Sequence, residues 1–216
     1  MATILTGTTQ GLGAELQKVL YVEDRDLVVI NRRPSGQPNE LVYDLSSPQA
    51  VQELQKLLLE TATDKNILFV LNAALYGEDE TVSDVSPEAI ATILYTNVFA
   101  QLSLVEALLT AGKKVRLAAV SSSMGSISLA SEPYHYVYGA SKASLNLSVR
   151  LLSKQYDNLS YLLMDPGWMQ TQMGGEGATD KPVDVAHHIL TAIYDDSKWN
   201  NDHGMLEVNS GKTIHW

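Results

Sequence analysis

Thr6-Gly7-Thr8-Thr9-Gln10-Gly11-Leu12-Gly13 is a glycine-rich stretch that follows a short apolar segment, residues 2–6, with the composition of a buried strand. Apolar residues recur at helical spacing directly after it. Glycines in such a stretch let the chain turn sharply, approach a ligand closely and begin a helix that packs against a sheet. The free N–H groups and positive end of that helix form a site for a pyrophosphate. The stretch therefore predicts a dinucleotide site, and the alternative is an ordinary glycine-containing loop between a strand and a helix.

The composition indicates one domain, residues 1–216. Of the 216 residues, 45% are hydrophobic and 19% are charged, and no Pro/Ser-rich linker or repeat divides the chain. The formal net charge of -10 argues against a nucleic-acid or anionic-membrane partner, because both need a basic face. The chain has no cysteine, which excludes disulfides and thiolate metal sites, and we predict no metal site. The apolar opening is too short for a signal peptide, so we expect a cytoplasmic protein.

Short apolar segments alternate with segments of helical periodicity along the chain. The predicted strands are residues 2–6, 27–30, 40–43, 67–71, 115–120, 160–164 and 205–208. Continuous apolar runs such as residues 67–71 suit parallel strands that are covered on both faces. The alternation predicts an α/β fold, with a Rossmann-like, doubly wound and mostly parallel sheet of about seven strands and helices on both of its faces.

Polar residues after the second and third predicted strands bear on cofactor choice. Asn31-Arg32-Arg33 stands where this architecture meets the adenosine ribose. A carboxylate usually holds the ribose hydroxyls of NAD, whereas guanidinium groups suit a 2′-phosphate, so the triplet predicts NADP(H). The alternative is a solvated loop face. Asp44, which precedes Leu45, either accepts a hydrogen bond from the adenine amine or is simply an acid at a helix entry.

Tyr138 and Lys142 stand one turn apart on a predicted helix over residues 135–156, on the stripe that also carries Leu145 and Val149. If the two side chains share a partly buried place, the ammonium favours the ionised phenol and moves the phenol pKa toward neutral pH, where a proton donor works best. The pair predicts a catalytic acid. The alternative is a surface pair, since a tyrosine four residues before a lysine is common.

Further polar residues fall on a buried helical stripe or at strand ends. Asn97 lies on the apolar stripe of a helix that begins near Pro87, so it is either a structural clamp or part of a water-filled active site. The run Ser121-Ser122-Ser123 follows the fifth predicted strand, and Asp165-Pro166-Gly167-Trp168 follows the sixth. The carboxyl ends of the strands face the ligand in a doubly wound sheet, so both runs are expected at the site.

Taken together, these motifs resemble the short-chain dehydrogenase/reductase family in order and spacing, over essentially the whole chain. The matching motifs are Thr6-Gly7-x-x-x-Gly11-x-Gly13, Asn72-Ala73-Ala74, Asn97, the serine run, Tyr138-x-x-x-Lys142 and Pro166-Gly167. Met124-Gly125-Ser126-Ile127, the segment 166–175 and Gly211-Lys212-x-Ile214-x-Trp216 are similar to the branch of C-signal and sniffer-type carbonyl reductases. Two positions depart from the pattern, because Ala74 replaces a usual glycine and Gln10 replaces a residue that is often basic in the branch.

The resemblance implies that the protein reduces a small carbonyl compound (an aldehyde, ketone or quinone) to an alcohol by hydride transfer from NADPH. It implies four catalytic residues: Tyr138 as proton donor, Ser122 to polarise the carbonyl oxygen, Lys142 to lower the phenol pKa and bind the nicotinamide ribose, and Asn97 to position a water. Ser122 is chosen among the three serines because the branch has its serine three residues before the glycine matched by Gly125. The residues implied to bind the cofactor are Gly7, Thr9, Gln10, Gly11, Leu12, Gly13, Asn31, Arg32, Arg33, Asp44, Leu45, Asn72, Ala73, Ala74, Tyr138, Lys142, Pro166, Gly167, Trp168, Met169 and Thr171.

Other functions stay open at this point. A dinucleotide-binding signalling protein would keep the fold with little turnover, and an alcohol dehydrogenase would run the same reaction in the oxidative direction. The complete set of Asn97, Ser122, Tyr138 and Lys142 favours an enzyme, because a pure binder does not need all four. Related reductases pair through the helices that carry Asn97 and Tyr138, so the resemblance also implies a homodimer or homotetramer.

Overall fold

One open sheet organises the protein. The computed structural model describes residues 1–24, 26–77, 81–130 and 135–216. The strands are β1 (Ala2–Thr6), β2 (Val28–Asn31), β3 (Glu40–Val42), β4 (Asn66–Leu71), β5 (Lys114–Val120), β6 (Leu159–Asp165), β7 (Gly204–Glu207) and β8 (Thr213–His215). They lie in the order β3-β2-β1-β4-β5-β6-β7-β8. Neighbours from β3 to β7 pair in parallel, and β8 pairs with β7 in the antiparallel direction.

The helices that connect the described strands begin where the sequence supplies start signals. They are α1 (Gly11–Glu23), α2 (Pro48–Thr61), α3 (Pro87–Leu94), α4 (Gln101–Thr110), α5 (Tyr136–Gln155) and α6 (Pro182–Tyr194). The hydroxyls of Ser47 and Ser86 accept the backbone N–H of Ala50 and Ala89, and each serine is followed by a proline in the first turn. These caps satisfy N–H groups that have no partner within the helix.

The helices cover both faces of the sheet with separate apolar cores. On one face, Leu16 of α1 and Ile189 of α6 pack with Leu5 and Val70 of the sheet. On the other face, residues of α2, α4 and α5 pack with alternate residues of the same strands, such as Phe69. Because both faces are covered, the central strands are apolar at nearly every position, and β4 is buried from Ile67 to Leu71.

The predicted doubly wound, mostly parallel α/β sheet is confirmed. The sequence did not predict β8, so the described sheet has eight strands instead of about seven. That strand has three residues at the edge of the sheet, and it is exposed or half-buried along its length. A strand of this kind lacks the apolar run and the clear alternation by which strands are read from a sequence.

The helical segment from Pro87 to Thr110 departs from a regular α-helix at its centre. Residues Tyr95–Ala100 form a π-helical turn between α3 and α4. The 24 residues are long and apolar enough to span a membrane, but 61% of their most apolar window is buried inside the protein. Their apolar face packs on the sheet, which accounts for the hydrophobicity of the segment. Turns of the π type occur often at functional sites.

The order of the strands places a crevice next to β1. The strand that follows β1 along the chain, β2, lies on one side of it, and β4 lies on the other side. The connections after β1 and β4 therefore diverge at their carboxyl ends, where ligands bind in open α/β sheets. The site predicted from the sequence lies at this edge.

Candidate active site

The glycine-rich turn after β1 is shaped by close contacts. Gly11 has a φ of +57°, and a Cβ there would approach Cγ2 of Thr171 to 3.2 Å. A Cβ on Gly13 would collide with the carbonyl oxygen of Gly7. Only a glycine at position 13 therefore lets α1 pack this closely against the end of β1. Gln10 precedes α1 without a side-chain cap, which leaves the first N–H groups of the helix for a ligand. These features fit a pyrophosphate.

A buried network of hydrogen bonds holds that turn against the end of β4. The hydroxyl of Thr6 donates to Oε1 of Gln101 at 2.7 Å and accepts the backbone N–H groups of Asn72 and Ala73 at 3.0 Å each. The side-chain amide of Asn72 donates to the carbonyl oxygens of Thr6 and Gly7. Gln101 is 1% exposed and also donates to the carbonyl of Ala73. The shape of the turn is therefore set before any ligand binds.

A cleft of about 410 Å³ opens along these strand ends. Most of the residues predicted to bind the cofactor line it: Gly7, Thr9, Gln10, Gly11, Leu12, Gly13, Asn31, Arg32, Asp44, Leu45, Asn72, Ala73, Ala74, Tyr138, Lys142, Met169 and Thr171. The predicted residues outside this lining are Arg33, Pro166, Gly167 and Trp168, and also Asn97 and Ser122. The cleft runs from the adenosine end, at Arg32, to the catalytic pair, and its volume and lining fit a dinucleotide.

Asn31 lies at the adenosine end, but its side chain is already engaged. It is 2% exposed, accepts the backbone N–H of Thr8 at 2.7 Å, and donates to the carboxylate of Glu40 at 2.7 Å. Burial raises the pKa of Glu40, but hydrogen bonds from Ser35, Asn31 and Gly36 outweigh this effect and lower the pKa to about 2. Asn31 therefore fastens the glycine-rich turn to the loop after β2, and the exposed Arg32 lines this end of the cleft as a cation.

Asp44 lies after β3 in the lining of the cleft. Its Oδ1 atom accepts both the backbone N–H and the hydroxyl of Ser46, at 2.9 and 2.8 Å. This geometry is that of an acid at a helix entry, which was one of the two interpretations of this residue. Because Asp44 lines the cleft, the other interpretation, a hydrogen bond from the adenine amine, stays a prediction.

Tyr138 and Lys142 occupy the opposite end of the cleft, on the buried face of α5. Tyr138 is 8% exposed and Lys142 is 3% exposed. Nζ of Lys142 donates to the backbone carbonyl of Val120 at 2.8 Å, and it lies 5.5 Å from the centre of the Tyr138 ring. The surface-pair alternative is therefore wrong for these two residues.

The structure does not show the predicted lowering of the Tyr138 pKa by Lys142. Burial raises the pKa of Tyr138 well above its ordinary value, Tyr76 and Asp165 raise it further, and the hydrogen bond from Ser122 lowers it only in part. Burial also lowers the pKa of Lys142 to about 8. Desolvation exceeds the attraction between the two groups, so Tyr138 is a protonated phenol at neutral pH. That state suits a proton donor.

The burial of Lys142 leads to a prediction about stability. The pKa of Lys142 falls from 10.5 to about 8 on folding, so at neutral pH the fold carries a desolvated ammonium. Lys142→Met fills a similar volume without the charge. We expect it to raise the free energy of unfolding at pH 7 by about 1 to 3 kcal/mol while it removes activity. Urea unfolding of both proteins measures the difference.

The pH dependence gives the matching control. Between pH 8 and 10.5 the unfolded parent chain keeps a proton on Lys142 that the folded protein has lost, so the parent gains stability as the pH rises through this range. The Met variant lacks that gain, and the two free energies of unfolding should converge toward pH 10.5. A Met variant less stable than the parent at pH 7 would show that the charge stabilises the fold.

Ser122 is the serine that reaches Tyr138. Its side chain hydrogen-bonds the Tyr138 side chain. The hydroxyl of Ser121 donates to Asn146 at 2.6 Å, and the side chain of Ser123 bonds to Asp165. Side chains alternate along a strand, and this rule alone would point Ser121 and Ser123 away from Ser122. The strand in fact ends at Val120, so the alternation does not extend to the serines.

Asn97 lies in the π-helical turn, 1% exposed. Its Oδ1 atom accepts the backbone N–H of Leu75 at 2.7 Å, and its amide donates to the Leu75 carbonyl at 2.9 Å and to the Ser141 hydroxyl at 3.0 Å. Ser141 in turn donates to the carbonyl of Tyr138 at 2.7 Å. Asn97 therefore clamps the loop after β4 to the catalytic helix, in agreement with the structural interpretation. Its role in holding a water stays a prediction.

The corner after β6 is held from two sides. Gly167 has a φ of +81°, and a Cβ there would press on Asp180 and Asn209. Asp180 accepts the backbone N–H of Trp168 at 2.8 Å, and Asn209 donates to the carbonyl of Pro166. Pro166, Gly167 and Trp168 thus turn the chain so that the next residues, from Met169 to Met173, form the second wall of the cleft.

Sequence reasoning missed several residues that build the site. Gln101 had a visible signal, because it is a polar residue one turn after Asn97 on the same buried face. Asp165 was noted only as part of the strand-end motif. The contact of Tyr76 with Tyr138, with ring centres 4.7 Å apart, could not be predicted, since it depends on how the loop after β4 folds over α5.

The comparisons with known proteins agree with this geometry. The family model described as short chain dehydrogenase matches residues 1–182, and the chain belongs to that family. The chain is 27% identical over 231 residues to dehydrogenase/reductase SDR family member 7B of Xenopus laevis, covering 88% of this chain and 70% of the relative. It is 32% identical over 131 residues to C-signal of Myxococcus xanthus, covering 58% of this chain and 79% of C-signal.

A solved structure matches over the full length. It is a carbonyl reductase from Pseudomonas aeruginosa PAO1 in complex with NADP, with 26% sequence identity and a TM-score of 0.79, covering 100% of this chain and 99% of that one. The predicted membership of the short-chain dehydrogenase/reductase family, with likeness to C-signal and to carbonyl reductases, is confirmed.

Proposed function

We propose that the protein is an NADP(H)-dependent oxidoreductase that reduces a small aldehyde, ketone or quinone to an alcohol. One observation carries the proposal: the Ser122 side chain hydrogen-bonds a buried, protonated Tyr138 at the end of the cleft that the glycine-rich turn opens. A preformed donor pair of this kind suits a carbonyl oxygen on which negative charge develops. The family membership and the NADP complex of the Pseudomonas aeruginosa reductase support the choice of cofactor and reaction class.

In this reaction, each of the residues Tyr138, Ser122 and Lys142 would have its own role. The bound dinucleotide supplies the hydride that is added to the carbonyl carbon. Tyr138 transfers its phenolic proton to the carbonyl oxygen, so that the product is a neutral alcohol. Ser122 donates a hydrogen bond that polarises the same oxygen before the proton moves. Lys142 lies one turn along α5. It would bind the nicotinamide ribose and supply the tyrosinate with a proton.

The charge at the adenosine end predicts the cofactor preference. Arg32 lines the cleft and Asn31 offers no carboxylate, so a 2′-phosphate meets a guanidinium there. We expect NADPH to bind at least about tenfold more tightly than NADH, which requires only about 1.4 kcal/mol. Arg32→Ala should remove most of this preference, as measured by the dissociation constants of both nucleotides.

Arg33 provides the matched control for this prediction. It has the same charge and neighbours Arg32, but it lies outside the lining of the cleft. Arg33→Ala should therefore keep the preference for NADPH. Equal affinities for NADH and NADPH in the unmodified protein would contradict the assignment to NADP(H).

A signalling protein with little turnover is the alternative that the fold itself leaves open. The complete donor set favours an enzyme, and an assay decides between the two. NADPH oxidation should be followed with a panel of aldehydes, ketones and quinones, with Tyr138→Phe as the inactive reference. Turnover of at least one panel member by the parent, lost in the variant, supports the proposal. Tight NADPH binding without turnover of any member would favour the signalling alternative.

Two expectations from the sequence stay predictions. The first is the homodimer or homotetramer, which would bury the exposed apolar side chains Phe99, Leu147 and Leu151 on the outer face of α5 and the adjoining π-helical turn. The second is the cytoplasmic location.

A further inference from the structure

Glu40 is a carboxylate to which the proposed reaction gives no role. It begins β3 and lies outside the lining of the cleft. Within the described part of the chain, its two oxygens accept five hydrogen bonds from β2 and the loop after it. The side-chain amide of Asn31 donates at 2.7 Å and the Gly36 N–H donates at 3.1 Å. The N–H of Ser35 donates to both oxygens at 2.9 Å, and its hydroxyl donates at 2.6 Å.

These hydrogen bonds hold the chain on both sides of Arg32. Asn31 directly precedes Arg32, and Ser35 follows it by three positions. Pro34 lies between these two anchors, and its ring fixes its own φ and restricts the residue before it. The segment that carries Arg32 therefore has few conformations while Glu40 holds both of its ends.

Burial does not hold this loop, because every residue from 32 to 39 is exposed. The hydrogen bonds to Glu40 supply the constraint instead, and bonds to an ionised acceptor are stronger than bonds between neutral groups. The pKa of Glu40 is about 2, so the carboxylate is ionised at neutral pH. Without this acceptor, the exposed loop would sample other conformations while the apolar core stays intact.

The conformation of the loop bears on binding because Arg32 lines the adenosine end of the cleft. A guanidinium on a mobile loop binds a phosphate only while the loop points it at that phosphate. The apparent affinity of such a site is reduced by the fraction of molecules in the competent conformation. NADH has no 2′-phosphate, so its affinity does not depend on where Arg32 points. Order in the loop therefore affects NADPH and NADH unequally.

We propose that Glu40 is a positioning residue that sets the preference for NADPH over NADH by holding Arg32 at the adenosine end of the cleft. This role rests on the proposed function, in which Arg32 meets the 2′-phosphate. Glu40 has the same sign of charge as that phosphate, but its oxygens are engaged by the donors of the loop. It acts on the nucleotide through the position of Arg32.

The test is the ratio of the dissociation constant of NADH to that of NADPH. Glu40→Gln keeps the size of the side chain and one oxygen, which can still accept the Asn31 amide. Its amide nitrogen cannot accept the N–H groups of Ser35 and Gly36, so the loop loses its second anchor. We expect the ratio to fall by about threefold to tenfold, with the NADH constant within about twofold of the parent.

Arg32→Ala shows whether Glu40 acts through Arg32. Glu40→Gln added to Arg32→Ala should change the ratio by less than twofold, because the group that Glu40 positions is already gone. A fall of at least threefold in Glu40→Gln that disappears in the Arg32→Ala background supports the proposal. A smaller fall, or an equal fall in both backgrounds, would overturn it. A rise in the ratio would also overturn it, because the carboxylate would then act by repelling the phosphate.

Asp195→Asn is the matched control. The Asp195 carboxylate closes a similar turn directly after α6, where it accepts the backbone N–H and the hydroxyl of Ser197 at 3.0 and 2.6 Å. Asp195 lies outside the lining of the cleft. This variant should keep the ratio within twofold of the parent. A fall equal to that of Glu40→Gln would show a general effect of lost carboxylates and overturn the proposal.

Thermal unfolding checks that the variants fold. If Glu40→Gln lacks a cooperative transition, Ser35→Pro is measured with the same thresholds. It changes an exposed residue, keeps the carboxylate and removes the N–H and hydroxyl that Ser35 donates. If neither variant folds, Glu40 is a residue of the fold and the proposal fails. Failure of the proposed function is seen separately, in the unmodified protein, as equal affinities for the two nucleotides or as binding of neither.

Discussion

Tyr138→Phe should lower turnover by about two to four orders of magnitude and leave the dissociation constant of NADPH nearly unchanged. The substitution removes only the hydroxyl, and the ring keeps its place at 4.7 Å from the Tyr76 ring. The parent phenol is protonated at neutral pH because burial raises its pKa. The variant therefore loses the proton donor while the cleft keeps its shape.

Tyr156→Phe is the matched control for that result. Tyr156 follows α5 directly, and its hydroxyl donates to Glu106 at 3.1 Å, far from the cleft along the same helix. Loss of this hydroxyl should leave turnover within about twofold of the parent, because substitutions away from the site usually have small effects. Steady-state kinetics on a confirmed substrate and nucleotide titrations measure both variants. A Tyr138→Phe protein with the turnover of the parent would show that another group donates the proton.

Ser122→Ala should lower turnover by a factor of about 10² to 10³, the usual effect of removing one preorganised donor to a developing oxyanion. The side chain of Ser122 hydrogen-bonds Tyr138, so both donors converge on the same place. The variant also loses the acceptor for the backbone N–H of Met124, at 3.2 Å. This second contact is at the surface and affects the local turn, not the chemistry.

The neighbouring serines separate the chemical role from a local change of structure. Ser121 is 1% exposed and bonded to Asn146, so Ser121→Ala should lower stability and keep turnover within a few-fold of the parent. The side chain of Ser123 bonds to Asp165. If Ser123→Ala lost turnover by 10² or more and Ser122→Ala did not, the catalytic serine would be assigned one position too early.

The parts of the molecule that follow from local rules could be predicted from the sequence. The glycine-rich turn is one of them, because the positive φ of Gly11 and the close approach of Gly13 to the Gly7 carbonyl arise within a few residues. The face of α5 that carries Tyr138 and Lys142 is another, since helical spacing alone decides it. The order of strands and helices followed from the same kind of pattern.

Contacts between distant segments could not be predicted in this way. The hydrogen bond between Asn31 and Glu40 is one example, because it depends on how β3 returns beside β2. The pKa of Tyr138 was expected to fall because of Lys142. It rises because both side chains are buried, and the extent of burial is a property of the packed protein.

The serine run shows the same limit at a smaller scale. Alternation along a strand is a sound rule, yet it applies only while the strand continues. The fifth strand was predicted to end at residue 120, and β5 does end at Val120, so the rule gives no direction for the serines that follow. The family resemblance selected Ser122 where the periodicity could not.

Transfer of deuterium from NADPH tests the central claim most directly. The protein is incubated with each C4-deuterated epimer of NADPH and with a carbonyl compound that the assay panel has identified, and the product is analysed by mass spectrometry and NMR. Direct hydride transfer in the cleft predicts that one epimer delivers its deuterium to the carbinol carbon and that the other does not. It also predicts that Tyr138→Phe lowers the rate of this transfer by about two to four orders of magnitude. Deuterium delivered equally by both epimers, or NADPH bound without any labelled alcohol, would contradict the account.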